Sequence, residues 1–204
     1  MAQYLKDKVH DQINHAALPV FARKGFRDAT MADIARTARI STGNIYRYYK
    51  NKEVLFRNVV PPTFADQFMG LMRRRVESLG GTDDVRSLPA GAAYHVISER
   101  LLRFSIENRW RVIIVLGKAQ GTRYEWFSER MIETLSKLAI AHFRARTPGL
   151  RITHAKRFCL EQIYRNFVTT MVCALTRFDT EPQIRGAVAE YSKYHLAGMK
   201  YLFE

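Results

Sequence analysis

The sequence predicts an all-α fold, and three observations carry that prediction. Apolar residues recur every three or four positions along most of the chain, and no segment alternates apolar and polar residues as a half-buried strand does. The periodic stretches are separated by glycine and proline, which punctuate helices. The chain has 204 residues, 47% of them hydrophobic and 25% charged, values of a folded protein long enough for one large domain or two smaller ones.

In chain order, a first helix is expected from Tyr4 to Lys24, with Ile13, Ala17, Val20 and Phe21 at helical spacing and Gly25 ending it. Short helices follow at Met31 to Ala38 and Thr42 to Tyr49, then one at Lys52 to Val60. Pro61-Pro62 is a hard break, because neither proline donates a backbone hydrogen bond and Val60 is pushed out of helical geometry. The expected domains are therefore 1–60 and 61–204. Beyond the break, helices are expected at Thr63 to Leu79, Ala92 to Glu107, Trp110 to Ala119 and Arg123 to Arg146. Gly80-Gly81 and a polar loop to Pro89 interrupt them. Two long helices end the chain, His154 to Phe178 with a stripe including Ala155, Cys159, Ile163, Phe167 and Met171, and Pro182 to Phe203 with Ile184, Val188, Tyr191, His195 and Met199.

Charge narrows the partners. Lys and Arg number 33 against 19 Asp and Glu, a net +14, which suits a polyanion, either nucleic acid or an anionic membrane surface. The first 60 residues hold 11 basic and 5 acidic residues, and the remaining 144 hold 22 and 14, so charge density is about twofold higher at the N-terminal end. The longest clean apolar run, Val112 to Leu116, is far short of the roughly 20 residues that cross a bilayer. With no secretion signal either, a cytoplasmic location is expected and a membrane partner is not. Cys159 and Cys173 lie 14 residues apart, on one face of one helix, where they cannot bond to each other. Two free, buried thiols in a reducing compartment are expected.

The segment Thr30 to Leu55, TMADIARTARISTGNIYRYYKNKEVL, carries the functional signal. Thr30 is an N-cap with Asp33 three positions on, a capping box with aspartate in place of glutamate. Ile34, Ala35 and Ala38 form a buried edge whose small alanines let the next helix approach. Ser41 caps a second short helix with Ile45 and Tyr49 inward. Two short helices joined by a turn of three or four residues make a helix-turn-helix, whose second helix enters the major groove with its N-terminal residues toward the bases. Its outward residues Thr42, Asn44, Tyr46, Arg47 and Tyr48 all form hydrogen bonds and none is acidic, while Gly43 allows a close backbone approach. Arg47 suits guanine, Asn44 adenine and Thr42 a thymine methyl group. Tyr46, Tyr48, Lys52 and Thr30 are placed for phosphates.

The stretch from Phe21 to Phe56 resembles the DNA-binding domain of the tetracycline-repressor (TetR) family. The shared positions are Phe21 to Phe26 (F-x-x-x-G-F), Thr30 to Ala35 (T-x-x-D-I-A) and Ser41 to Glu53 (S-x-G-x-I-Y-x-Y-Y-x-x-K-E). They cover about the first 60 residues. One departure is Arg39, where the family usually has glycine in the turn; arginine is less at ease in a left-handed turn, though it adds a phosphate-binding cation. The resemblance implies an N-terminal three-helix helix-turn-helix DNA-binding domain and a C-terminal helical ligand-binding and dimerisation domain. It further implies a homodimer through the last two long helices, a palindromic double-stranded DNA operator, and a small-molecule effector whose binding releases the DNA. Ser41 joins the DNA-facing set on the same ground.

For the effector, lining residues are expected among Phe68, Met72, Tyr94, Phe104, Trp110 and Trp126, and among Phe127, Met131, His142, Tyr164, Phe167 and Met171, which combine apolar bulk with polar tips. No cofactor is expected. His95, His142 and His154 do not share metal-ligand spacing, and Gly117 to Arg123 lacks the phosphate-loop pattern. A small helical enzyme using His142 with Glu107 or Glu125 has no nucleophile, base and acid at fixed spacing, so no catalysis is expected. The alternative regulator is one without small-molecule control, or one that answers to a protein partner.

Overall fold

The computed structural model describes residues 2–79, 88–89 and 91–203, and these contain ten α-helices and no strand. They are α1 Ala2–Asp28, α2 Met31–Thr37, α3 Thr42–Ile45, α4 Lys52–Val59, α5 Pro62–Glu77, α6 Ala93–Glu107, α7 Arg109–Ile113, α8 Phe127–Arg146, α9 His154–Arg177 and α10 Glu181–Phe203, with a π-helical turn, Ile114–Lys118, directly after α7. The expected Gly80-Gly81 break and most of the loop to Pro89 lie outside the described residues.

The chain forms two compact units, 1–66 with 109–126, and 67–108 with 127–204. Helix α1 is broken where glycine was expected to end it: Gly25 has φ 80 and ψ 160, a conformation that side chains with a Cβ rarely adopt. The core of the first unit is Ile13, Ala17, Phe21, Ile34, Ile45, Leu55 and Phe56, all nearly inaccessible. Phe21, Phe26 and Phe56 meet edge-on or tilted at 4.9–5.9 Å between centroids. Residues 109–126 join this unit through Arg111, whose Nε donates to the Val59 carbonyl at 2.7 Å, and Tyr124, whose hydroxyl donates to the Val60 carbonyl at 3.3 Å. Those carbonyls end α4, which Pro61 and Pro62 prevent from continuing, so side chains from elsewhere satisfy them.

Three elements differ from expectation. The second short helix is one turn, Thr42–Ile45, and continues to Tyr48 as turns. The apolar run Val112–Leu116 is fully buried, and its last three residues widen into the π-helical turn. The long helix expected from Arg123 starts only at Phe127, because Gly121 at φ 82 and the Thr122 side chain, which donates to the Ala119 carbonyl, hold 119–126 in turns.

In the second unit, Phe68 stacks between Phe104 and Phe127, each at 6.3 Å. Arg165 on α9 holds Glu129 on α8 through a fork of two bonds, and Arg185 on α10 holds Glu99 on α6 at 2.8 Å. The buried face of α9 is Leu160, Tyr164, Phe167, Val168, Met171, Ala174 and Leu175. Ala155 and Cys159 of the expected stripe are exposed, and Cys173 is exposed as well. The expectation of buried thiols is thus corrected: periodicity places both cysteines on one face, and that face is not the inward one. No helix among the described residues is long and apolar enough to cross a membrane.

Candidate nucleic-acid interface

The expected capping box is present and more heavily used than its sequence suggests. The Asp33 amide donates to Thr30 Oγ1 at 3.1 Å, while the Thr30 amide and hydroxyl both donate to Asp33 Oδ2, at 3.1 and 2.7 Å. Lys24 from α1 approaches Asp33 Oδ1 at 2.7 Å. The Lys24 ammonium and then the Thr30 hydroxyl hold the Asp33 carboxyl down to about 2. Thr30, expected among the phosphate donors, therefore has its hydroxyl proton committed to Asp33, and its place is the cap of α2.

The turn after α2 closes as a Schellman motif, with the Ile40 amide bonded to the Ala35 carbonyl at 3.0 Å and the Arg39 amide to Arg36 at 3.1 Å. Arg39 sits at φ 54, alone with a positive φ among the described non-glycine residues. The left-handed conformation is retained here without glycine. Arg39 is exposed and its side chain points to no partner among the described residues.

Ser41 caps α3, its Oγ accepting from the Asn44 amide at 3.2 Å. Ile45 and Tyr49 are buried as expected, and Tyr49 does more than fill space. Its hydroxyl bonds to Asn14 and to His10 Nε2, accepts from Asn58 Nδ2 at 2.9 Å, and its ring stacks on His10. This polar knot fixes the end of the α3 segment against α1 and α4. Only the tyrosine was legible beforehand, because the partners come from positions up to 39 residues away.

That anchoring leaves the other side of α3 free. Ser41, Thr42, Gly43, Tyr46 and Arg47 are exposed, and Asn44 and Tyr48 are half-buried. The side chains of Thr42, Asn44, Tyr46, Arg47 and Tyr48 make no hydrogen bond or ion pair among the described residues. No carboxylate shares this patch, while Arg36, Arg39 and Lys50 are exposed close to it in sequence. Donors without internal partners, on a rigid one-turn helix, can bind base edges and phosphates.

Lys52, expected among the phosphate donors, has two of its three ammonium protons engaged internally. Its Nζ donates to the carbonyls of Arg27 and Ala29 at 3.0 and 2.7 Å and lies 4.6 Å from the centroid of the Phe26 ring. Burial lowers its pKa, with Asp28 opposing. The ammonium caps the carbonyls that α1 leaves open beyond Gly25, so Lys52 staples α4 to α1.

The second unit contains a cavity of about 790 Å³. Tyr94, His142, Tyr164, Phe167 and Met171 line it, together with Arg75, Ser98 and His195, which the sequence did not single out as lining. The other expected lining residues lie elsewhere. Phe68, Met72, Phe127 and Met131 are buried in close packing away from the cavity, and Phe104 stacks on Phe68. Trp126 is 63% exposed, and Trp110 lies in the first unit with the Arg109 guanidinium over its ring. Aromatic bulk marks buried sites, but it does not distinguish a packed interior from a cavity wall. No group of three or more histidine, cysteine or acidic side chains among the described residues is arranged to hold a metal.

The fold and this patch define a helix-turn-helix DNA-binding module. Residues 13–59 match the family model of bacterial regulatory proteins, tetR family. The chain is 40% identical over 55 residues to the uncharacterized HTH-type transcriptional regulator YfiR of Bacillus subtilis (strain 168), covering 27% of either protein. It is 33% identical over 60 residues to IcaR of Staphylococcus epidermidis, the negative transcriptional regulator of the biofilm operon icaADBC, covering 29% of this chain and 30% of IcaR. These matches thus span less than a third of either relative's length. The crystal structure of the probable transcriptional regulatory protein RHA5900 superposes with a TM-score of 0.58 at 20% identity, over 92% of this chain and 97% of that one, and so shares its fold. The likeness to that family in sequence is thus carried by the N-terminal segment, residues 13–59.

Proposed function

We propose that this chain is a repressor that binds a palindromic operator as a homodimer in the cytoplasm and leaves it when a small molecule enters the cavity of the second unit. Residues 1–60 read DNA in this account, and 61–204 carry effector binding and dimerisation. The observation that carries the reading is the outward side of α3, where the side chains of Thr42, Asn44, Tyr46, Arg47 and Tyr48 have no partners, and no acidic neighbour in the patch, among the described residues. Thr42, Asn44 and Arg47 contact bases, while Tyr46, Tyr48 and Arg39 contact phosphates, with the Gly43 backbone near the groove wall.

Dimerisation is supported by apolar surface on the last two helices. Phe158 on α9 and Tyr194 and Tyr201 on α10 are 61%, 68% and 75% exposed. The two tyrosines are seven residues apart and share a helix face. A two-fold dimer displays two recognition helices to two half-sites, which makes the operator palindromic. Effector control is supported by the cavity, whose volume of about 790 Å³ falls within the roughly 300–1,000 Å³ of small-molecule sites. An effector weakens DNA binding only if it prefers the conformation that misfits the operator.

Titration of the full chain against DNA from upstream of its own gene tests the reading. Sequence-dependent, saturable binding that falls steeply with salt is expected. Equal affinity for all fragments contradicts it.

A further inference from the structure

The cavity of the second unit holds a buried positive charge with no counter-ion among the described residues. Arg75, from α5, is 8% exposed. Its Nε donates to Ser98 Oγ at 3.2 Å and its Nη2 to the Tyr94 hydroxyl at 2.6 Å. The guanidinium lies 5.1 Å from the Tyr94 ring centroid and 5.6 Å from that of Phe167. All these partners are neutral. Among the described residues no carboxylate lies within ion-pair distance of Arg75, and Glu99, which also lines the cavity, is held by Arg185 at 2.8 Å.

His195 lines the same space. It is 4% exposed and its Nδ1 has no hydrogen-bond partner. Burial first, and the charge of Arg75 second, push its pKa down to about 3, so the ring is neutral at physiological pH. Burial raises the pKa of the Tyr164 hydroxyl, which stays protonated. Arg75 and the His195 imidazole thus form a buried polar pair, and Arg146, Lys193 and Lys200 add further basic groups to the cavity lining. A lone buried charge is unfavourable until an opposite charge reaches it.

We propose that this cavity binds an organic carboxylate with an apolar body, whose head accepts from the Arg75 guanidinium and from the Nδ1–H of the neutral His195 ring. The assignment rests on the effector-cavity reading above and names the chemistry of the ligand. A carboxylate matches the planar fork of a guanidinium and supplies the opposite charge that Arg75 lacks among the described residues. The apolar body packs against Phe167, Met171, Leu101 and Met199, which line the rest of the space.

Calorimetry on the full-length protein tests this with two acids, dodecanoate and 2-naphthoate, and their neutral counterparts, dodecanol and 2-naphthalenemethanol, all below aggregation concentrations. At least one acid is expected to bind about tenfold or more tighter than its alcohol. Arg75→Met should remove that preference while leaving the alcohol's affinity nearly unchanged, and Arg75→Lys, which keeps the charge without the fork, should retain part of it. Comparison of acid and alcohol on the unmodified protein needs no variant to fold. Equal binding of acids and alcohols overturns the proposal, and so does an acid preference that survives Arg75→Met. If neither acid binds while the neutral dye Nile red enters, the proposal falls and the effector-cavity reading stands. If nothing enters, both fall.

Discussion

Replacing Lys52 by methionine separates two roles that a basic residue beside a recognition helix can have. The substitution keeps most of the apolar stem and removes the ammonium, together with its bonds to the Arg27 and Ala29 carbonyls at 3.0 and 2.7 Å and its position over Phe26. Hydrogen bonds to a charged group contribute about 1.5–3 kcal/mol when well protected, and an exposed cation–π contact about 0.5–1 kcal/mol. Lys52 is half-buried, so water reclaims part of both the lost carbonyl partners and the ammonium. The net destabilisation expected is about 1–2 kcal/mol. For a chain of this size that lowers the melting temperature by roughly 3–6 °C. In DNA titrations at several salt concentrations, the slope of log K against log salt should stay at the unmodified value, because no phosphate contact is lost. A slope smaller by about 0.9 per half-site, with melting unchanged, would show that Lys52 serves the phosphate and not the α1 carbonyls.

Removing the cap with Thr30→Ala should cost about 1 kcal/mol in urea unfolding, and a loss within error refutes the cap. Asp33→Asn should destabilise the protein near neutral pH. Because the Asp33 pKa is depressed to about 2 from 3.8, the carboxylate's contribution is complete above its unfolded pKa and fades as pH falls towards 2. The two proteins should therefore converge in stability below about pH 4, and a constant difference down to pH 2 contradicts the assignment. Arg39→Gly relieves a left-handed non-glycine residue, a strain of about 1–2 kcal/mol offset by about 0.5–1 kcal/mol of added unfolded-state entropy. A gain of up to about 1 kcal/mol is expected, with a shallower salt dependence of DNA binding. Tyr194→Glu places a charge on the exposed face of α10 and should shift sedimentation from dimer to monomer without loss of helicity. An unchanged dimer places the interface elsewhere.

Local rules made much of the first unit legible. Thr30 and Asp33 announce the start of α2, Ser41 the start of α3, and Gly25 the break in α1, because each acts on neighbours within a few residues. The contacts of Lys52 and Tyr49 were not legible, since their partners at Arg27, Ala29, Asn14 and His10 are brought close only by the tertiary fold. The same limit governs the second unit. Helical spacing identifies apolar stripes but not which edge of a stripe turns inward, so Cys159 and Ala155, although in the stripe of α9, are exposed. The cavity left two traces. Arg75 lies on the apolar side of α5, at helical spacing from Phe68, Leu71 and Met72, and a cation there signals either a buried partner or a ligand. His195 in the stripe of α10 is a second such signal.

The most direct measurement is the operator affinity of Arg47→Ala, compared on the cognate palindrome and on a scrambled duplex of the same length at one salt concentration. Loss of a bidentate base contact costs about 1–3 kcal/mol of discrimination. Affinity for the palindrome should fall towards that for the scrambled duplex, with melting temperature unchanged because Arg47 is exposed and has no partner among the described residues. A variant that still prefers the palindrome as strongly as the unmodified protein contradicts base reading by Arg47 from α3.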